Sequence, residues 1–378
     1  MRSQLKRTIS VAGLALACLL VQAAALAQFS VIYSFGTGSP AGYYYPTFCL
    51  RIGKTLYGTT SYGGQYGNGT IFTMDTSGIV SVVHPFTNSD GSVGFCTMVN
   101  SGGWIYGAAV YGGANNQGFI FRMKPNGSLY SVLFTGSTDS TSTGQLFIAG
   151  VLNGVIYGSG QQGGVYGYGT VWSMRTDGSN FTLLHSFAGT DGIEPAQPTL
   201  VAPSRYTAPV LVGGAESGGS SDNGVIYRMN LDGSGFAVLH AFDGSDGPSP
   251  EFPQVLLGGM LFGDCRGGPS YNRGTVWKLD GTGFTVLHQF SGTDGADPCA
   301  QLLLNGTLYG QTDSTATSGT GEIYSIVPNG SGFTILHVFN PSVDGWGASS
   351  LKDYNGVLYG TASNGGVNGG GTAFKFVP

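Results

Sequence analysis

The chain has 378 residues, of which 67 are glycine, 12% are aromatic and only 9% are charged. So few charges exclude a charged helical protein, and the aromatic content excludes a conventional disordered chain, because it provides ample apolar surface to bury. The formal net charge of -5 and the lack of a basic run argue against a nucleic-acid-binding protein.

Residues 1–27 are predicted to form a secretory signal peptide. Three basic residues precede an apolar run over residues 9–20, and a small-residue site ending at Ala27 places the cleavage before Gln28. A retained membrane anchor would need about 20 apolar residues. A lipid attached at Cys18 would compete with the site at Ala27.

Cleavage removes three of the 15 basic residues and none of the 20 acidic ones, so 12 basic and 20 acidic residues remain and the net charge becomes -8. We therefore expect the mature protein to be secreted, periplasmic or on the cell surface. We expect no transmembrane segment in it and no nucleic-acid partner.

One short string recurs along the rest of the chain: an aliphatic residue, usually a tyrosine, and then a glycine. The glycines of this string are Gly58, Gly107, Gly158, Gly213, Gly263, Gly310 and Gly360. The intervals between them are 49, 51, 55, 50, 47 and 50 residues. Repeats of this length are typical of a β-propeller, in which each repeat supplies one four-stranded blade.

Each repeat contains four short runs rich in β-branched and aromatic residues, which we label strands a to d. In the sixth repeat these runs are residues 299–304, 307–311, 321–326 and 333–339. Glycine paired with Asp or Asn separates c from d in most repeats, and such pairs favour tight hairpins. The strands of each blade are therefore expected to be antiparallel.

The two ends of the chain carry incomplete repeats. Residues 29–35 match the d strand over 284–290, whereas the seventh repeat ends with a c strand at 374–377. An N-terminal d strand that completes the last blade would close the ring and remove its exposed edges. The sequence therefore predicts an all-β protein, a seven-bladed β-propeller in one domain over residues 28–378, in which residues 29–35 pair beside 371–377. We expect this domain to be a monomer.

The repeat resembles a known family. The string Leu-Tyr-Gly-Thr-Thr at 56–60, the Gly-Gly and Gly-Thr-Ile-Phe segments after it, and Phe-Thr-Val-Leu-His-x-Phe at 284–290 are similar to the Gloeobacter/Verrucomicrobia-type (GloVer) tandem repeat. The resemblance covers essentially all of the mature chain, although Phe134 replaces the histidine in the second copy and Val212 the tyrosine in the fourth. It implies a bacterial exported repeat protein, often attached to an anchoring segment, and it brings no catalytic residues.

All five histidines occupy one repeat position, two residues before a phenylalanine: His84, His185, His240, His288 and His337. Repeat-equivalent positions are spread round a ring, so these side chains are not expected to converge on one metal ion or substrate. We expect a structural role, in which each imidazole bonds the backbone of a neighbouring strand or loop. No Ser-His-Asp or Cys-His constellation then remains, and we predict no catalytic residue from these motifs.

Aspartates that precede a glycine recur between strand d and the next strand a: Asp90, Asp191, Asp246, Asp294 and Asp344. A carboxylate in an exposed loop can ligate calcium. Turn formation explains the same residues more simply, because Asp bonds its own following backbone and Gly takes a positive φ. We therefore predict no metal and no cofactor.

Four cysteines remain after cleavage, an even number that suits an oxidising compartment. Cys49 and Cys96 lie near the start of strand a in adjacent repeats. Cys265 follows strand b of the fifth repeat, and Cys299 begins strand a of the sixth. We predict disulfides between Cys49 and Cys96 and between Cys265 and Cys299; the alternative is four buried free thiols.

Aromatic side chains give the positive indication of a ligand. The b-to-c and d-to-a loops of a propeller open on the same face, and aromatic rings there offer sugars or peptides a large contact area with a polar handle. The predicted ligand-binding residues are Tyr62, Tyr66, Tyr111, Tyr166, Tyr168, Tyr271 and Trp346. Trp346 is the strongest candidate because it is expected to lie outside a strand. The alternative for Tyr62 and Tyr111, which share a repeat position, is that they wedge between blades.

These patterns favour a non-enzymatic exported binding or scaffold protein that uses its loop face for a glycan or protein ligand. The alternative is a glycan-active hydrolase or lyase. Four acidic residues break the repeat symmetry, as catalytic groups must: Glu194, Glu216, Glu251 and Asp264. Two of them about 5 to 10 Å apart in one pocket near the axis would favour the enzyme.

Overall fold

Seven antiparallel β-sheets make up the computed structural model of the chain. The structure describes residues 28–87, 90, 96–201, 208–250, 255–257, 259–267, 273–314 and 320–378. Within these ranges there is no helix, and hence none long and apolar enough to cross a membrane. The predicted all-β, seven-bladed propeller is confirmed.

Blades 1 to 3 each contain four strands, paired in the order a, b, c and d. Blade 1 consists of β2 (Thr47–Ile52), β3 (Thr55–Thr60), β4 (Thr70–Met74) and β5 (Val80–Pro85). Blade 2 consists of β6 (Cys96–Ser101), β7 (Trp104–Ala109), β8 (Phe119–Met123) and β9 (Ser131–Thr135). Blade 3 consists of β10 (Thr143–Leu152), β11 (Val155–Gly163), β12 (Thr170–Arg175) and β13 (Thr182–Ser186).

Strand a of blade 4 is divided into two short strands that pair with the same neighbour. Blade 4 consists of β14 (Ile193–Pro195), β15 (Thr199–Val201), β16 (Val210–Ser217), β17 (Val225–Asn230) and β18 (Ala237–Ala241). Blade 5 consists of β19 (Val255–Leu257), β20 (Met260–Cys265), β21 (Thr275–Asp280) and β22 (Gly283–Gln289). Blade 6 consists of β23 (Ala296–Leu304), β24 (Thr307–Ser314), β25 (Glu322–Ile326) and β26 (Thr334–Val338).

Blade 7 combines the two ends of the chain. It consists of β27 (Trp346–Tyr354), β28 (Val357–Asn364), β29 (Gly369–Val377) and, as its d strand, β1 (Gln28–Gly36). β1 runs antiparallel to β29, from Gln28 opposite Val377 to Gly36 opposite Gly369. The predicted closure of the ring by the N-terminal strand is confirmed. β1 covers the edge of β29 that would otherwise be unpaired.

The recurring glycine of strand b is required by an aromatic ring on strand c. A Cβ atom at Gly58 would lie 2.5 Å from Phe72 Cζ, and one at Gly158 would lie 2.3 Å from Trp172 Cζ2. A Cβ atom at each of the other glycines of the string would lie similarly close to a ring on strand c: Gly107 to Phe121, Gly213 to Tyr227, Gly263 to Trp277, Gly310 to Tyr324 and Gly360 to Phe374. Each blade therefore packs a large ring of strand c against the glycine of its own strand b.

The hydrophobic core lies between neighbouring blades. Between blades 1 and 2, for example, Ile71 and Phe86 pack with Phe119 and Phe121, and all four are fully buried. Near the axis, strands a contact the strands a of adjacent blades, such as β2 with β6 and with β27. Strands a are therefore the innermost strands, and they surround a central cavity.

Candidate functional site

The central cavity has a volume of about 1370 Å³ and is lined by residues from every blade. Its mouth is formed where the d-to-a and b-to-c loops meet. Tyr43, in the first of these loops, forms a β-bridge with Tyr62, in the second, so the two sets of loops open on one face of the ring. The opposite end is lined by Arg51 and Asp353, near the a-to-b turns.

One repeat position dominates the mouth. The residue three positions after the glycine of each string lines the cavity in all seven blades, and we call these residues the variable ring: Ser61, Val110, Gln161, Glu216, Arg266, Asp313 and Ser363. The backbone places them alike, because each lies at the end of strand b or directly after it. Their side chains differ in charge and size, which is what a ligand site needs and a repeat scaffold does not.

The mouth has an aromatic side and a charged side. Aromatic rings line it in the adjacent blades 7, 1 and 2: Trp346, Tyr45, Tyr62 and Tyr111. Charged side chains line it in the adjacent blades 4, 5 and 6: Glu216, Arg266, Asp297 and Asp313. The uncharged Gln161 of blade 3 stands between the two sides. This division could hold a ligand that is flat and weakly polar on one side and rich in hydrogen-bonding groups on the other.

Two carboxyl groups of the charged side, those of Glu216 and Asp297, lie close to the guanidinium of Arg266. Burial raises the pKa of Glu216, and the nearby Glu194 adds to the effect, whereas Arg266 and a 2.8 Å hydrogen bond from Gln161 Nε2 to Glu216 Oε1 oppose it. Burial also raises the pKa of Asp297, and Arg266 again opposes the shift. Arg266 therefore holds the charged side together, because its guanidinium acts on carboxylates from both neighbouring blades.

A set of strained residues supports the same mouth. At or just before the start of strand a, a non-glycine residue is held at a positive φ in five blades: Tyr45 (50°), Gln145 (54°), Glu194 (56°), Ser249 (54°) and Asp297 (52°). The amide of Glu194 donates to Tyr168 O at 3.0 Å, and that of Asp297 donates to Arg273 O at 2.8 Å, each in the preceding blade. Such conformations cost free energy in non-glycine residues and concentrate at binding sites. The contacts with the preceding blade fix these residues at the rim.

The structure brings together three of the predicted aromatic residues. Tyr62, Tyr111 and Trp346 line the cavity mouth, and Trp346 is the first residue of β27 instead of lying outside a strand. Three further rings are exposed but do not line the cavity: Tyr66, Tyr166 and Tyr168. Tyr271 lies outside the described residues. Tyr45, which the sequence did not single out, joins the group at the mouth.

Of the symmetry-breaking acids, Glu194 and Glu216 lie near each other and Asp264 lies apart from them. Glu216 lines the cavity and Glu194 is close enough to affect its pKa. Asp264 is fully buried, and its charge contributes to the raised pKa of Tyr324 in blade 6, after burial of that ring. Glu251 lies outside the described residues. Asp297 and Asp313 complete the acidic groups at the mouth. They were missed because the first lies at the start of strand a and the second at the end of strand b of blade 6, where nothing in the sequence marks a binding residue.

Each histidine pairs with the aspartate of its own d-to-a loop. The Nε2 to Oδ2 distances are 2.6 to 3.0 Å, and the pairs are His84–Asp90, His185–Asp191, His240–Asp246, His288–Asp294 and His337–Asp344. The expectation that the imidazoles bond backbone groups was therefore wrong, because a carboxylate six or seven residues later reaches the same nitrogen. The turn role of the aspartates is present as well, since Asp191 Oδ1 accepts the amide of Ala188 at 2.7 Å.

No group of three or more potential metal ligands occurs in the part of the chain that the structure describes. The four cysteines are thiols: Cys49, Cys96, Cys265 and Cys299. The thiols of Cys49 and Cys96 interact across the boundary between blades 1 and 2. The Cys265 thiol interacts with Thr275 and Trp277. Both disulfides stay predictions.

The sequence matches the pattern of the Gloeobacter/Verrucomicrobia repeat over residues 20–209 and 206–378. No curated protein sequence matches the chain.

Several solved structures share the fold. The chain is similar to a puromycin hydrolase, with 15% identity, a TM-score of 0.57 and coverage of 86% of this chain and 50% of that one, so it spans half of that protein. It is similar to an oligogalacturonate lyase in complex with manganese (9% identity, TM-score 0.56, 93% and 96% coverage). It is also similar to the β-propeller domain of the Trilobed protease from Pyrococcus furiosus (8% identity, TM-score 0.56, 88% and 95% coverage). At these identities the likeness concerns the propeller fold alone.

Proposed function

The chain belongs to the Gloeobacter/Verrucomicrobia repeat family, and we propose that it is an exported binding protein, without enzymatic activity, that holds a glycan at the mouth of its central cavity. Export rests on the predicted signal peptide over residues 1–27, with cleavage before Gln28. In this proposal residues 28–378 act as one monomeric propeller domain.

The observation that carries the proposal is the division of the mouth into an aromatic and a charged side. A sugar ring has an apolar face that packs against tyrosine or tryptophan, and its hydroxyl groups pair with carboxylate, amide and guanidinium groups. Trp346 and Tyr62 supply the first kind of surface, and Glu216 and Arg266 supply the second, on opposite parts of one cavity. The rim is rigid, because loops of adjacent blades are joined by backbone hydrogen bonds.

The test is a glycan-array screen of the labelled exported protein, followed by titration calorimetry on each hit. We expect Trp346→Ala and Tyr62→Ala to weaken binding about tenfold or more, as removal of a central aromatic contact does. Tyr166→Ala is the matched control, because Tyr166 is as exposed as Tyr62 (59% against 54%) but lies off the cavity. Equal losses in all three variants, or binding to a protein and to no glycan, would contradict the proposal.

A glycan-cleaving activity is the second candidate, and Glu216 is the observation that favours it. Its pKa is raised, mainly by burial, and a protonated carboxyl group in a cavity can act as a general acid toward a leaving sugar. Each glycan that binds should therefore be incubated with the protein and assayed for new reducing ends and for unsaturated products. Product formation that is lost in Glu216→Gln would replace the binding proposal with a hydrolase or lyase.

A further inference from the structure

A second cluster of reactive side chains lies deeper in the central cavity than the variable ring. Cys49, Cys96 and Lys352 all line the cavity wall. They belong to β2, β6 and β27, the innermost strands of blades 1, 2 and 7, which contact one another. Three blades therefore bring two thiols and one ammonium group to one stretch of wall.

The two thiols differ in exposure. Cys49 is partly exposed, whereas Cys96 is only 2% exposed. Cys49 Sγ lies 3.8 Å from Thr59 Oγ1 and 3.5 Å from the carbonyl oxygen of Thr47. A small molecule in the cavity would therefore meet the sulfur of Cys49 before that of Cys96.

The surroundings also separate the two thiols chemically. Interaction with the Cys96 thiol, the Thr59 hydroxyl and the Lys352 ammonium group lowers the pKa of Cys49. Burial, followed by the interaction with Cys49, raises the pKa of Cys96. Because the thiolate is the nucleophile, Cys49 is the attacking member of the pair.

We propose that Cys49 and Cys96 form a thiol–disulfide exchange site in the cavity wall, which reacts with small disulfides that enter the central cavity. The Cys49 thiolate attacks one sulfur of the disulfide, forms a mixed disulfide and releases the first thiolate. Cys96 loses its proton to water and attacks the Cys49 sulfur, which releases the second thiolate. The protein pair is oxidised by two electrons to a Cys49–Cys96 bridge, and the small disulfide is reduced to two thiols.

Lys352 is a positioning residue in this scheme. Its ammonium group is close enough to stabilise negative charge on Cys49. Cys265 provides the contrast within the same chain. It is fully buried, burial raises its pKa well above the usual value, and it does not line the cavity. A merely buried thiol of this kind is inert.

The experiment uses the exported protein, reduced with dithiothreitol, desalted and mixed with 2-hydroxyethyl disulfide. Peptide mass spectrometry should show a Cys49–Cys96 cross-link in the parent and a stable mixed disulfide on Cys49 in Cys96→Ser. Cys49→Ser should slow thiol release at least about tenfold, and Cys265→Ser should leave it unchanged. Lys352→Met should slow it about two- to fivefold at pH 7 and move the midpoint of the pH–rate profile upward.

A measurement on the parent alone guards against misfolded variants: iodoacetamide should label Cys49 faster than Cys265. The proposal fails if the parent does not react or if Cys49→Ser reacts as fast as the parent. It also fails if Cys265 is labelled as fast as Cys49, or if dithiothreitol cannot open a Cys49–Cys96 bridge in the folded protein. None of these results depends on the glycan at the mouth.

Discussion

Phe29 stacks on His337 of the preceding blade, with 3.7 Å between the ring centroids and 6° between the ring planes. The other histidines stack in the same way on a ring of the following blade: His84 on Tyr130, His185 on Phe236, His240 on Phe284 and His288 on Phe333. Phe29 of the N-terminal strand thus makes the same contact with the histidine of blade 6 that these rings make with the histidines of the other blades. The ring is closed by the same packing that joins its other blades.

Deletion of residues 28–36 should lower the thermal midpoint more than the double variant Cys265→Ser/Cys299→Ser does. Phe35 of this strand is fully buried, and Phe29 and Val31 are partly buried. Full burial of one such group stabilises by about 1.5 to 3 kcal/mol, and partial burial contributes less. A disulfide contributes about 2 to 4 kcal/mol where it forms. The measurement is a thermal melt followed by circular dichroism. A deletion variant that melted as high as the parent would show that β1 does not secure the ring.

A point change tests the stack itself. Phe29→Ala should destabilise by about 2 to 3 kcal/mol, because it removes contacts with His337, Phe339 and Phe374. Phe29→Tyr is the control and should cost less than about 1 kcal/mol, since a tyrosine, Tyr130, fills the equivalent place against His84. Urea unfolding of both variants measures the difference, and equal costs would contradict the role of the stack.

The propeller should lose stability as the pH falls below about 6.5. Burial lowers the pKa of His84, His288 and His337, so the unfolded chain binds more protons than the folded one in this range. His288→Phe should make the loss of unfolding free energy between about pH 7 and 5 shallower. It should keep the stack on Phe333, because Phe134 makes the equivalent stack on Phe181 at 4.1 Å. An unchanged slope would contradict the prediction.

Glu322 should have the opposite effect on the pH dependence. It is 3% exposed, and burial, followed by the charge of Asp294, raises its pKa from 4.5 to about 7. The folded chain therefore binds more protons between these values, and stability is lost as the pH rises through them. Among the described residues, Glu322 Oε2 has no hydrogen-bond partner.

Threonine fills the position of Glu322 in other blades, and Thr70 Oγ1 there donates to Ala41 O at 2.6 Å. Glu322→Thr should therefore raise the unfolding free energy at pH 8 by about 1 to 2 kcal/mol and change it little near pH 4.5. Glu322→Gln controls for side-chain size without charge. The measurement is urea unfolding at both pH values, and a variant no more stable than the parent at pH 8 would refute the prediction.

A buried hydrogen bond between the inner strands of two blades should stabilise the propeller more than an exposed hydrogen bond within one blade. Thr97 Oγ1 accepts the amide of Ile148 at 2.8 Å across blades 2 and 3, in a buried setting. Thr97→Val keeps the shape and leaves that amide unpaired, so it should cost about 1 to 3 kcal/mol. Thr73→Val removes an exposed 3.4 Å bond and should cost less than about 0.5 kcal/mol. Equal urea midpoints for the two variants would contradict this expectation.

The fold could be predicted because its signals are repeated. One weak strand pattern means little, but a glycine string that recurs at a blade's length defines the period, and the unmatched strands at the two ends define the closure. The spacing of His and Asp in the sequence also carries a signal. The interval is six residues in four of the pairs and seven in His337–Asp344, and so regular a spacing predicts that each pair can meet.

The candidate site could be predicted only in part. Tyr62, Tyr111 and Trp346 were found because loop aromatics of a propeller share one face. The variable ring was missed because residues at equivalent repeat positions were expected to lie far apart round the ring. That expectation holds for histidines on the outer d strands, but the ends of the inner strands converge on the axis. Which loop residues turn inward depends on backbone conformations, such as the positive φ of Tyr45 and Asp297, that residue type alone does not reveal.

The pairing of β1 with β29 also sets the order of folding. Blades 1 to 6 arise from hairpins between strands that are close in sequence, and such local contacts form quickly. The last blade cannot be completed until the strand that ends at Val377 has been synthesised, although its partner strand is the first to emerge. Until then the edge of β1 that pairs with β29 stays open and can pair with another chain. The interval between synthesis of the first and last strands is therefore the time when this protein is most exposed to aggregation and most in need of a chaperone.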